Sequence, residues 1–312
     1  TQHMEQQQNS QVPPMQQESY GKRLWNLWGP IVIKWAVSFG VTMVAMGIIS
    51  FMYMYSHYDV AMSALSDESV MMALYEKILK IYAKYTTWVE GAAALATIPV
   101  MLLWFHKDRV KEKMMGIVPN KKAPLWKYIP QLLMALTFCV AANNLILIGN
   151  LSSVSAGYEE TMDALYTAPL GVQILSLAIL IPICEELVFR GLLFKRLRMQ
   201  GGFMQAAMYS AVVFGFLHMN LVQMIYGFLL GLMFAYIYEK YGSVKAPILA
   251  HVSMNLLSVL ATEYRLYEWL AEDMMRLGVV TVVCATVAAA MFTFVQRIEE
   301  KPEPVLTVPD QE

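Results

Sequence analysis

Apolar residues along the chain gather into eight stretches, near residues 31–55, 88–105, 129–151, 167–189, 203–218, 221–238, 244–261 and 277–296. A helix that crosses a bilayer needs about 20 predominantly apolar residues. Most of the stretches meet that length. Those at 203–218 and 244–261 are short, and short spans are tolerated inside a bundle whose neighbours cover their ends. The pattern predicts an all-α fold: a polytopic membrane bundle of about eight transmembrane helices. Residues 56–87 form a long segment outside the spans. Met71, Leu74, Ile78 and Ile81, with Lys77, Lys80 and Lys84 between them, have the spacing of an amphipathic helix at the interface. An ordinary surface helix fits that spacing equally well. No internal repeat is visible, which weakens a transporter built from paired halves.

Composition points the same way. Of the 312 residues, 57% are hydrophobic and 15% charged, with a mean hydropathy of +0.46. Soluble domains carry about 25% charged residues. The net charge of -1 says nothing about nucleic acid, but no Arg-rich patch interleaved with aromatics appears outside the loops, so no nucleic-acid partner is expected. Cys139, Cys184 and Cys284 lie in separate apolar stretches, where they read as apolar-like thiols rather than a disulfide framework or a CxxC metal site. Residues 1–30 read as a polar N-terminal tail, Gln-rich over 4–19, with Thr1-Gln2-His3 a cloning remnant before Met4. No cleavable signal peptide is seen. The membrane domain is expected over 31–297, its motif-bearing core over about 167–260, and a cytoplasmic C-terminal tail over 298–312.

Basic residues set the expected orientation. Residues 106–128 hold Lys107, Arg109, Lys111, Lys113, Lys121, Lys122 and Lys127. Arg190, Lys195, Arg196 and Arg198 follow the fourth stretch, and Lys240 and Lys245 follow the sixth. Residues 152–166 carry Glu159, Glu160 and Asp163 with no Lys or Arg. Both termini are therefore expected on the cytoplasmic side. The reading leans to a bacterial cytoplasmic membrane.

Ionisable groups within spans are costly and need a reason. Three polar clusters stand out, each with an i,i+4 pair that shares one helical face. In Glu185-Glu186-Leu187-Val188-Phe189-Arg190, Glu186 can pair with Arg190 while Glu185 points about 100° away. One carboxylate is then held by arginine, and the other is suited to act as a general base. Pro182, about one turn earlier, could kink the helix. Charges that snorkel from a helix end give an equally simple reading of this cluster alone. Phe214 and His218 form the second cluster, which alone fits a structural histidine better than a functional one. His251 and Asn255 form the third, which alone fits helix–helix glue slightly better. Counting 1.5 Å per residue, Glu185 and His251 fall in the cytoplasmic half of their spans and His218 near the far end of its own. Either that helix is tilted and ends inside the bundle, or its boundaries lie elsewhere.

Taken together, EExxxR, FxxxH and HxxxN resemble the type II CAAX prenyl endopeptidase and bacteriocin-processing family of intramembrane glutamic peptidases. Every motif position is present: Glu185, Glu186, Arg190, Phe214, His218, His251 and Asn255. The resemblance spans about a third of the chain. It implies peptide hydrolysis without a cofactor or bound metal. Glu185 and His218 would activate a water, and His251 and Asn255 would stabilise the oxyanion. Glu186 and Arg190 would support the site, and Phe214 would pack it. The implied partners are the lipid bilayer and a peptide or membrane-associated protein substrate, which could be lipidated. The bacterial reading leans away from a prenylated one.

Other classes stay open at this point. Glu185, His218 and His251 also compose a zinc-type donor set, although HExxH spacing is absent. A non-catalytic immunity or scaffold protein could share the fold. A transporter is the weakest reading. Gly227 and Gly231 permit close helix approach. Asn143 and Asn144 suit hydrogen bonds within the bundle, Lys34 suits snorkelling, and the 24 methionines suit ordinary core filling.

Overall fold

The computed structural model describes residues 19–298 except 118–120, 154, 156 and 219. Among the described residues there are helices and no strands. Twelve helices are used below: α1 (Tyr20–Ser56), α2 (Tyr58–Ala64), α3 (Glu68–Lys84), α4 (Thr86–Met114), α5 (Tyr128–Ile148), α6 (Tyr158–Tyr166), α7 (Leu170–Gln200), α8 (Phe203–Phe216), α9 (Leu221–Tyr241), α10 (Lys245–Glu263), α11 (Leu266–Ala271) and α12 (Met274–Gln296). Six of them, α1, α4, α5 (with its 3-10 turn, Leu125–Ile148), α7, α9 and α12, are long and apolar enough to cross a membrane. The two stretches expected to be short are α8, of 14 residues, and α10, of 19. The chain is an all-α, polytopic integral membrane protein.

α1 begins earlier than the apolar pattern suggests. Ser19 caps it by accepting the Lys22 amide, so residues 20–30, read above as the end of a polar tail, are helical. The rest of that tail and nearly all of the expected C-terminal tail lie outside the described residues. In the outer segment, Asp67 caps α3 by accepting the Ser69 hydroxyl and amide, at 2.7 and 2.9 Å. Those bonds hold the Asp67 carboxyl below its ordinary value. α3 packs on α1 through Leu74 and Ile78. Met71, expected on that face, is exposed.

The basic helix ends gather at one end of the bundle. Arg196 forks onto Asp108 with two bonds of 2.8 Å and reaches the Asn26 carbonyl; Lys195 meets Glu112 at 2.8 Å, and Arg198 meets Glu239 at 3.0 Å. These contacts tie the ends of α4, α7 and α9 together. The main cores lie on either side of α7 and between α5, α9, α10 and α12. All three cysteines are free thiols.

Candidate active site

α7 changes its helical register twice around the paired glutamates. Residues Ile174–Leu180 and Leu187–Phe194 are π-helical, and the α-helical turn Ile181–Glu186 lies between them. Such wide turns are rare and frequent at functional sites. In the first segment the Ile181 amide donates to the Ser176 carbonyl, five residues back. The next rung would run from residue 182 to Leu177, but Pro182 has no N–H. The Leu177 carbonyl instead accepts the side-chain amide of Asn255, from α10, at 2.8 Å. Pro182 thus opens an acceptor that docks the third motif onto the first, where a kink was expected.

Glu186 and Arg190 pair as their spacing predicts, at 3.4 Å, and both are buried. The guanidinium lies over the Phe214 ring at 4.4 Å and near the Phe234 ring at 5.2 Å. Glu186 also accepts Nδ1–H of His251 at 2.8 Å. This bond spends Nδ1 and leaves Nε2 as the free nitrogen of the ring. Nε2 stands 3.9 Å from the Glu185 carboxylate, and the imidazole stacks on Phe234 at 4.7 Å. Glu185 is only partly buried and faces a cavity, so the two adjacent carboxylates do face different surroundings.

His218 follows the end of α8. That helix is about 21 Å long at 1.5 Å per residue, too short to cross a bilayer. Its end brings the His218 side chain to the same cavity that Glu185 and His251 line. Nδ1 of His218 donates to the Phe214 carbonyl at 2.8 Å, so Nε2 remains an acceptor. Asn220 caps α9 beyond the turn by accepting the Gln223 amide. Gly227 of α9 makes room for the imidazole, since a Cβ there would stand 3.0 Å from Cε1. The Gly227 and Gly231 pair therefore does more than let helices approach. Phe214 joins the parts, with its ring 4.9 Å from His218, 6.4 Å from His251 and 5.0 Å from Phe189.

The cavity has a volume of about 670 Å³. Glu185, His218, His251 and Asn255, from three segments of chain (α7, the end of α8 and α10), all line it. Its other wall includes Cys139, Asn143, Ser258 and Tyr226. Asn143 bonds within the bundle, to the Cys139 carbonyl at 2.9 Å, and also faces the cavity. Asn144 is buried, and its amide has no partner among the described residues. Among the described residues no group of three His, Cys, Asp or Glu side chains has the geometry to hold a metal ion. Glu90 of α4 and Lys34 of α1 also line the cavity. Sequence reasoning passed over Glu90 and assigned Lys34 to the interface. The available signal was their position within apolar helices.

Three comparisons bear on this arrangement. Residues 167–257 match the family described as Type II CAAX prenyl endopeptidase Rce1-like. A Bacillus subtilis (strain 168) protein bearing the name "Putative membrane peptidase YdiL" is 31% identical over 106 residues, which are 34% of this chain and 43% of that relative. The chain thus aligns with less than half the length of that curated relative. No solved structure matches. The matched segment carries all three motifs and runs from the start of α7 into α10. Through this segment the chain is similar to the Rce1-like, type II CAAX prenyl endopeptidase family.

Proposed function

We propose that the protein is an intramembrane endopeptidase in which Glu185 activates a water. One observation carries the reading. Glu185, His218, His251 and Asn255 converge on a single cavity, while Glu186 and Arg190 are buried behind it. The family match and the named membrane peptidase support the general class of membrane protease.

The chemistry follows from the free atoms. A water held between the Glu185 carboxylate and Nε2 of His218 loses a proton to Glu185 as its oxygen attacks the scissile carbonyl carbon. The negative charge on the carbonyl oxygen needs donors in a site sheltered from bulk water. Asn255 retains a second amide hydrogen beside the one given to Leu177. His251 donates from Nε2 when both ring nitrogens carry protons, and the Glu186 carboxylate at Nδ1 offsets that charge. Collapse of the tetrahedral intermediate breaks the C–N bond, and Glu185 returns its proton to the departing amine. Glu186 and Arg190 hold His251 in place and do not touch the reacting atoms. The substrate we favour is a membrane-associated peptide. The basic end of the bundle would face the cytoplasm of a bacterial cell.

The test is cleavage of a peptide library by purified protein in nanodiscs. Glu185→Gln is expected to lose about 10²–10⁴-fold in rate, with the wild-type rate insensitive to chelator. Full activity in Glu185→Gln would refute the mechanism. Loss on chelation with recovery on added zinc would replace it with a metallopeptidase. A protein that binds peptides from the library without cleaving any would be a non-catalytic binder of the same fold.

A further inference from the structure

The cavity has a wall that the three motifs do not supply. His251, Asn255, Ser258 and Thr262 follow one another at spacings of four, three and four residues. They therefore form one stripe along α10, and all four line the cavity. Ser258 lies about 4.5 Å farther along the helix axis than Asn255. Thr97, Thr137 and Thr281, in three other helices, return their hydroxyls to the carbonyl four residues back, at 2.7, 2.6 and 2.6 Å. Ser258 does not. Its hydroxyl meets the Cys139 thiol of α5 at 3.6 Å, and a thiol is a weak hydrogen-bonding partner. One turn beyond Cys139, the Asn143 side-chain amide donates to the Cys139 carbonyl at 2.9 Å, with the thiol 3.6 Å from the same nitrogen. The Asn143 amide oxygen has no partner among the described residues. Tyr226 of α9 completes the group, its ring set against Phe138 with centroids 6.4 Å apart. Cys139 is buried, so Asn143, Ser258 and Tyr226 present the polar surface here.

We propose that Asn143, Ser258 and Tyr226 form a specificity pocket for an uncharged, hydrogen-bonding side chain of the peptide substrate. The inference rests on the reading of the cavity as a peptidase site. The chemistry of the pocket sets the class of side chain. Asn143 offers an acceptor, and the two hydroxyls each donate or accept. A hydroxyl or carboxamide complements such a set, Asn and Gln most fully, because one group carries both donor and acceptor. A charged side chain would lie among these three without an opposite charge to offset its lost hydration. An apolar one would leave the Asn143 oxygen and the Ser258 hydroxyl unpaired. Sites built to bond a polar group of the substrate reject analogues that lack it. The offset along α10 sets the position. An extended peptide advances about 3.3–3.6 Å per residue. A carbonyl held at Asn255 therefore puts the side chain that reaches Ser258 about one or two residues from the scissile bond. Cys139, Asn143 and Ser258 fall outside residues 167–257, so most of the pocket comes from chain that the family match does not reach.

The experiment compares library peptides that differ only by Asn, Leu or Lys at one position, moved in turn along the peptide. Full-length protein in nanodiscs is used as wild type, Ser258→Ala and Asn143→Leu. Wild type should favour Asn over both Leu and Lys at a position within two residues of the cleaved bond. Each variant should lower the Asn-to-Leu ratio of kcat/KM there by about 10–100-fold, while kcat/KM for the Leu peptide holds or rises. A merely structural role would lower both alike. Size-exclusion profiles identify a variant that fails to fold, and Ser258→Ala, which removes one oxygen, covers that case for Asn143→Leu. Binding of the same peptides is read by fluorescence anisotropy in Glu185→Gln protein, with and without each pocket substitution. Cleavage with the same ratio in wild type and both variants would overturn the pocket and leave the peptidase reading intact. Binding that favours Asn and loses that preference in the variants, with no cleavage by wild type, would refute the peptidase and keep the pocket. Equal handling of the Asn, Leu and Lys peptides in both readouts, or no binding at all, would overturn the pocket.

Discussion

α7 and α1 are nearly equal in the hydropathy of their most apolar windows, yet 56% of that window is buried inside the protein in α7 and 6% in α1. Hydropathy reports that the surroundings are apolar. It does not report whether they are lipid or protein, because lipid tails are as apolar as leucine. The two helices differ in what they carry. α7 holds a buried carboxylate and arginine, two π-helical turns and a backbone carbonyl taken up by another helix. α1 presents Phe39, Val44 and Phe51 outward, and its one charge within the span, Lys34, points to the cavity. The ionisable groups of these two spans thus face protein or the cavity it lines.

The contrast can be broken most severely at Arg190. Arg190→Met leaves Glu186 as a buried carboxylate without its cation, a change that costs about 3–5 kcal/mol. Thermal unfolding in detergent should show it, and the double variant Arg190→Met/Glu186→Gln should recover most of the loss. Equal losses in the single and double variants would mean that the two charges are not coupled. Gly227→Ala tests positioning without touching a charge. The added methyl pushes the His218 ring, and a displacement of that size is expected to slow cleavage about 10–100-fold. Unchanged kinetics would remove His218 from the mechanism. On the peripheral side, Leu74→Ala should loosen α3 from α1 by roughly 2 kcal/mol. Hydrogen exchange should quicken in α3 while α7 amides remain protected. The smallest effect is expected at Phe39, which is 68% exposed on α1. Phe39→Ala should alter stability by less than about 0.5 kcal/mol, and a larger change would mean that α1 has a protein neighbour on that face.

Much of the site was legible before any fold was known. Glu186 and Arg190 were expected to pair from their i,i+4 spacing, and they do. Glu185 was expected to point elsewhere, and it faces the cavity. His251 and Asn255 share a face, but their partners were not foreseeable: Glu186 lies 65 residues away and the Leu177 carbonyl 78. Pro182 read as a kink. Its larger effect, the free carbonyl, depends on a π-helical register that no local propensity announces. Lys34 looked like a snorkelling lysine, since it was judged against its own helix alone, and Glu90 was passed over.

The sequence by itself therefore determined the solvent, the helical class and the three motifs, because apolar run length and the 3.6-residue period act within one segment. Only the tertiary structure decided that four motif residues share one cavity and that Lys34 and Glu90 also line it. Those outcomes depend on how helices distant in sequence pack against each other. Side chains that face lipid and those that face protein obey the same apolar pattern, so that packing is not written in any single stretch.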